Sequence, residues 1–286
     1  MEYVYSLMIK TINVKFIHLL VFCNYKDTEI LPSAKQPIKK QDKSKLLSIV
    51  GIGASADGLN ALKKLFSKIP NDSGLAFVVV VHLSPEHKSV LAELLQPHVN
   101  IPVQQVTVTI PLEANHVYVI PPNANLNTID THLRLSKLEE KRIERAPIDH
   151  FFRILAKTHD GSAVGVILTG TGSDGTLGLL EIKEKGGLTI VQDPQEAEYD
   201  GMPQSAISTM QIDKILKLED IPAFFIKFIK TNPELKGLLA GQEPDEKERG
   251  LIQKVFAQVR THTGRDFSRY KLSTILCRLQ RRMQLY

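Results

Sequence analysis

Five short runs of branched apolar residues recur along the middle of the chain: LSIVGI (47–52), AFVVVVH (76–82), HVYVIPP (116–122), VGVILTG (164–170) and LTIVQD (188–193). Between them the apolar spacing changes from continuous to helical, over 58–68, 87–96, 148–159, 175–185 and 203–210, with a further helical stretch at 219–230. Short strands that are apolar throughout must be covered on both faces. Alternation with helices therefore predicts an α/β fold: a doubly wound, mostly parallel sheet with helices on both faces. Residues 103–135 break the alternation with short alternating stretches and predict a small antiparallel excursion at one sheet edge.

The chain has 286 residues, 43% of them hydrophobic, enough for one full domain with additions. Its net charge of +5 is unevenly placed. Residues 1–45 carry +4, residues 46–250 carry −6 and residues 251–286 carry +7. An acidic core argues against nucleic acid as its partner and leaves that open for the basic tail. The two cysteines, Cys23 and Cys277, cannot build a disulfide framework, which fits a cytoplasmic location. FIHLLVFC (16–23) is too short to span a membrane, and FCNYKD offers no small-residue cleavage site.

These features divide the chain into an N-terminal extension and basic linker (1–45), an α/β domain (46–232), a charged linker (233–250) and a short C-terminal helical segment (251–286). In the last, Leu251, Ile252, Val255, Phe256 and Val259 repeat at helical spacing.

The first strand ends in IVGIGASADG (49–58), which has two mechanistic readings. Gly51, Gly53 and Ala56 match G-x-G-x-x-G/A, the phosphate-binding turn of dinucleotide-dependent oxidoreductases. That reading requires an acid near the end of the second strand for the ribose, where this chain has His82. The other is a nucleophile turn, in which Ser55 is held between small residues at a strand-to-helix junction. Its partners would also lie at carboxyl ends of strands. His82 ends the second strand, and Asp174 follows the fourth in ILTGTGSDGTLG (167–178). Taken singly, His82 reads as an edge-of-core residue and Asp174 as a cap for the helix beginning near Gly175. Together the three strand ends supply the serine, base and carboxylate of a nucleophilic triad.

GASADG with Ser55, VVHLSP with His82 and TGTGSDGTLG with Asp174, together with DGMPQSAI (200–207), resemble the CheB-type protein-glutamate methylesterases over roughly 47–230. The resemblance implies hydrolysis of glutamate γ-methyl esters, or deamidation of glutamine, on methylated chemoreceptor-type proteins, with no cofactor and no metal. It implies Ser55 as nucleophile, His82 as base and Asp174 as its orienting carboxylate. The backbone amides of Ala56 and Thr171 are the expected oxyanion donors, and the 200–207 turn an expected cleft wall. RTHTGRDFSRYKLSTILCRLQRRM (260–283) resembles the start of the helical domain of CheR-type methyltransferases, so a methyltransferase module is an expected partner. Asp57 stands where the family usually has glycine, and its carboxylate makes it a candidate modulator of the site. That departure also leaves open a catalytically weak or inactive module that binds receptor or methyltransferase. The 45 residues before the α/β domain are too few for a receiver domain.

Overall fold

The computed structural model describes residues 47–55, 58–82, 90–122, 124–129, 132–137 and 146–230, with scattered helical positions between 250 and 261. The N-terminal extension (1–45), the charged linker, Ala56, Asp57 and most of the C-terminal segment lie outside the described residues. Within that segment Gln253, Lys254, Phe256, Ala257, Arg260 and Thr261 are helical.

The first strand, β1 (Ile49–Ala54), is buried at every position, as is β2 (Ala76–Val81). Neither carries a polar side chain, so each must be sealed above and below. They pair in parallel, from Ile49 opposite Ala76 to Ala54 opposite Val81. On the other side of β1 lies β8 (Ala163–Ile167), also parallel. With β3 (Val103–Gln105), β5 (His116–Val119), β9 (Leu188–Gln192) and β10 (Lys214–Leu216) they form a seven-stranded parallel sheet in the order β10-β9-β8-β1-β2-β5-β3. The chain builds outward from β1 through β2, then returns to β8 on the opposite side. β1 and β8 therefore flank the topological switch point, where such sheets place their sites.

Among the described residues of this domain six α-helices accompany the strands: α1 (Leu59–Phe66), α2 (Leu91–Leu95), α3 (Pro147–His159), α4 (Thr176–Glu184), α5 (Gly201–Ser208) and α6 (Ile221–Lys230). Successive residues of a strand face opposite sides. On one face of the sheet Phe77 of β2 meets Phe66 of α1 edge-on at 5.6 Å and Phe225 of α6 at 5.9 Å. On the other, Gly51 and Gly53 of β1 lie under α3. A Cβ at Gly51 would stand 2.9 Å from the Phe152 ring, and one at Gly53 2.5 Å from Ile148. Both glycines sit inside β1 and give α3 room to lie against it. That is a packing role, which removes the basis for the dinucleotide reading of their spacing.

Two expectations change. The antiparallel excursion is a separate three-stranded sheet of β4 (Ile110–Pro111), β7 (His132–Lys137) and β6 (Ala124–Ile129), while Val103–Gln105 joins the parallel sheet beside β5. DGMPQSAI is not a tight turn: Asp200 is the N-cap residue of α5 and Gly201–Ile207 lie within the helix. β10 has no apolar run to announce it. Its approach is fixed by Asp213, which accepts hydrogen bonds from the Thr189 amide and hydroxyl and pairs with Lys183.

The packing of α3 on β1 yields a prediction. Gly53→Ala places a methyl group against Ile148 and Ile167. It should lower unfolding stability by about 1–3 kcal/mol, read as a lower urea midpoint at unchanged m.

Candidate active site

The β1–β2 register sets the first two residues of the site. Ala54 and Val81 are opposite partners, so the next residues, Ser55 and His82, leave adjacent strands at the carboxyl edge of the sheet. Asp174 reaches the same edge from the loop after β8, the other neighbour of β1.

Ser55 is 8% exposed. Its amide donates to the Thr169 carbonyl at 3.1 Å, and its carbonyl accepts from Gly58 N–H at 2.9 Å, closing the turn into α1. Gly170 lies against it: a Cβ there would be 3.1 Å from Ser55 N and 2.2 Å from Met202 Sδ. The 169–170 backbone is held on several sides. Thr169 N–H donates to Gln192 Oε1 at 2.9 Å, and Gly170 N–H to the Tyr199 carbonyl at 2.8 Å. Gly170 in turn accepts from Met202 N–H, in the first turn of α5, at 2.8 Å. The Tyr199 amide donates to the Thr169 hydroxyl at 2.8 Å. Past these bonds Thr171 is exposed, and Gly172 and Gly175 take the left-handed backbone (φ +82° and +91°) that favours glycine. Thr171 is thus brought beside the Ser55 turn. Ala56 and Asp57 lie outside the described residues.

His82 Nε2 and Asp174 Oδ2 are 2.7 Å apart, with the two side chains 33% and 7% exposed. A carboxylate only accepts, so Nε2 carries the proton and Nδ1 is left as the lone-pair nitrogen. Asp174 Oδ2 also accepts from Ile148 N–H at 3.0 Å, and Oδ1 from Asp149 N–H at 2.8 Å. These are open amides in the first turn of α3, after Pro147, which has none to offer. Asp174 does cap a helix, but it is α3 and not the helix that follows it. The positive end of α3 faces a negative charge there.

Asp149, unforeseen in the sequence, is buried in the same cluster, and its Oδ1 accepts from Gly178 N–H at 2.6 Å. Burial pushes its carboxyl above the usual range. The Gly178 amide opposes the rise, the Asp174 charge adds to it, and Arg153 and the Gly175 amide oppose it. Gln192 was missed as well. A first-turn acid and a glutamine ending a buried strand are both commonplace, and only the second, being polar at a buried position, carried a signal.

Among the described residues no group of three or more His, Cys, Asp or Glu could hold a metal ion, and no helix is long and apolar enough to cross a membrane.

A parallel α/β sheet that gathers a serine, a histidine and a buried carboxylate at the ends of three adjacent strands has the layout of a serine hydrolase. The chain belongs to the CheB methylesterase family, whose family model matches residues 50–225. A Leptospira interrogans relative is 36% identical over 184 residues, covering 64% of this chain and 95% of the relative. A Pyrococcus horikoshii protein named protein-glutamate methylesterase/protein-glutamine glutaminase is 31% identical over 185 residues. That match covers 63% of this chain and 50% of the relative. The crystal structure of the Thermotoga maritima CheB methylesterase catalytic domain superimposes with a TM-score of 0.58 at 28% identity. It covers 63% of this chain and 98% of that one.

The capping geometry distinguishes Asp174 from its neighbours in stability. Asp174→Ala strips acceptors from two first-turn amides of α3 and should lower unfolding stability by about 1–2 kcal/mol. Ser55→Ala should leave the unfolding free energy, read from the urea midpoint, within about 0.5 kcal/mol of wild type.

Proposed function

We propose that this chain hydrolyses glutamate γ-methyl esters on chemoreceptor-type signalling proteins, with Ser55, His82 and Asp174 as its catalytic residues. The observation that carries the reading is the 2.7 Å hydrogen bond between His82 and Asp174, on the strand end beside that of Ser55. Ser55 Oγ attacks the ester carbonyl carbon while His82 Nδ1 takes its proton. The carbonyl oxygen becomes an oxyanion, for which the Ala56 and Thr171 amides are the proposed donors, each worth about 3–4 kcal/mol in such a role. The intermediate collapses to an acyl-serine, and His82 returns the proton to the departing methanol. Water, deprotonated by the same nitrogen, then releases glutamate and restores Ser55. Asp174, fixed by α3, keeps the ring in one tautomer and offsets the charge it gains. With glutamine as substrate the leaving group is ammonia and the residues are the same. Several relatives are named for both activities.

The domain assignment belongs to this reading: residues 46–232 carry the chemistry, and 251–286 are the beginning of a CheR-type helical domain serving a methyltransferase module.

Methanol release from a methylated receptor fragment tests the mechanism. Ser55→Ala and His82→Ala should each lower kcat by about 10³-fold or more, and the double variant should be little worse than either. Full turnover by Ser55→Ala would overturn it.

Asp57 supplies a second test. A carboxylate two residues after the nucleophile opposes the developing oxyanion and favours the charged imidazole, which cannot act as a base. Asp57→Gly should raise kcat/KM about tenfold and move the pH optimum lower. Identical pH profiles would mean that the carboxylate does not act on the site. Absence of turnover in both proteins would favour the binding-module reading.

A further inference from the structure

The two helices behind the site cap each other. Asp174, two residues before α4, gives both carboxylate oxygens to the first amides of α3. Asp149, in the first turn of α3, gives Oδ1 to Gly178 in the first turn of α4. Each carboxylate thus satisfies amides that the other helix's own bonding leaves open. The N-cap residue of α4 is Gly175, which has no side chain to do this. The exchange depends on a close approach: a Cβ at Gly178 would lie 2.5 Å from Phe152 Cβ and 3.1 Å from Asp149 Cα. The ionisable groups acting on Asp149 are Asp174, from the loop before α4, and Arg153, one turn along α3. The neighbouring strands β1, β2, β6 and β8 contribute none.

We infer that Asp149 is a positioning residue for the hydrolysis proposed above, on which this inference rests: its carboxylate oxygen anchors the start of α4 and thereby holds Asp174 in register with His82. Asp149 is buried and bonded to backbone, so it acts through Asp174 rather than on substrate. What the geometry uses is an acceptor atom at Oδ1. A neutral amide oxygen at that position would serve the Gly178 N–H equally.

The test compares Asp149→Ala, Asp149→Asn and Gly178→Ala by two readouts. One is kcat and KM for methanol release. The other is the downfield proton resonance of His82 Nε2–H in its bond to Asp174, which does not depend on turnover. Asp149→Ala should lower kcat roughly 10- to 100-fold at KM within about twofold and weaken the resonance. Asp149→Asn keeps an oxygen for Gly178 N–H and should recover most of both. Gly178→Ala forces α4 away from Asp149 and should behave like Asp149→Ala, carrying the test if that variant does not fold. Wild-type kcat and resonance in Asp149→Ala or Gly178→Ala would overturn the inference. So would an Asp149→Asn protein as impaired as Asp149→Ala. A wild-type protein that shows the resonance but releases no methanol would refute the functional reading alone, and the resonance would still decide the role of Asp149.

Discussion

The carboxylate of Asp174 is the joint on which the site turns. Three donors converge on it: the imidazole of His82 and the first amides of α3. A carboxylate with a single partner keeps its torsional freedom, whereas one tied to two backbone amides has little left. The amides orient the oxygens, and the imidazole then has one direction from which to donate. The same bonds place the negative charge at the positive end of a helix of 13 residues. Orientation of the imidazole and capping of the helix are thus served by one side chain.

That joint exists only because α3 comes down onto β1. The helix reaches the sheet through the gaps left at Gly51 and Gly53, and its first turn then lies over the carboxyl end of β1, where Ser55 emerges. From the other side, Gly170 lets Met202 and Ser55 share a space that any side chain would occupy. The glycines of the site act mainly by the volume they do not fill. This is the close-packed interior expected of a folded domain, applied at the point where the chain must also expose a hydroxyl.

Much of this was legible in the residues. Continuous apolar runs identified the principal strands, since a strand buried on both faces has no polar alternation to hide it. Ser55, His82 and Asp174 stand out because the carboxyl ends of strands in such sheets are where sites form. The rest was hidden for definite reasons. β10 and β3 are three residues each and only partly covered, so pairing with a neighbour defines them and composition does not. The G-x-G spacing invited a phosphate, but a pattern cannot reveal what a missing Cβ would strike. Asp174 was read as a possible cap for the helix next to it. Its actual partner is set by the docking of α3, a long-range event that local spacing does not encode.

The bond between His82 and Asp174 joins residues 92 apart in sequence, and the cap on α3 joins residues 26 apart. Contacts of such span form only after loop closure has been overcome and the intervening strands have joined the sheet. A chain that has folded β1 and β2 alone presents the serine and the imidazole but lacks the carboxylate that tunes them. The oriented imidazole is therefore one of the last features to mature. A copy in which β8 has not yet joined the sheet has no carboxylate to orient the ring.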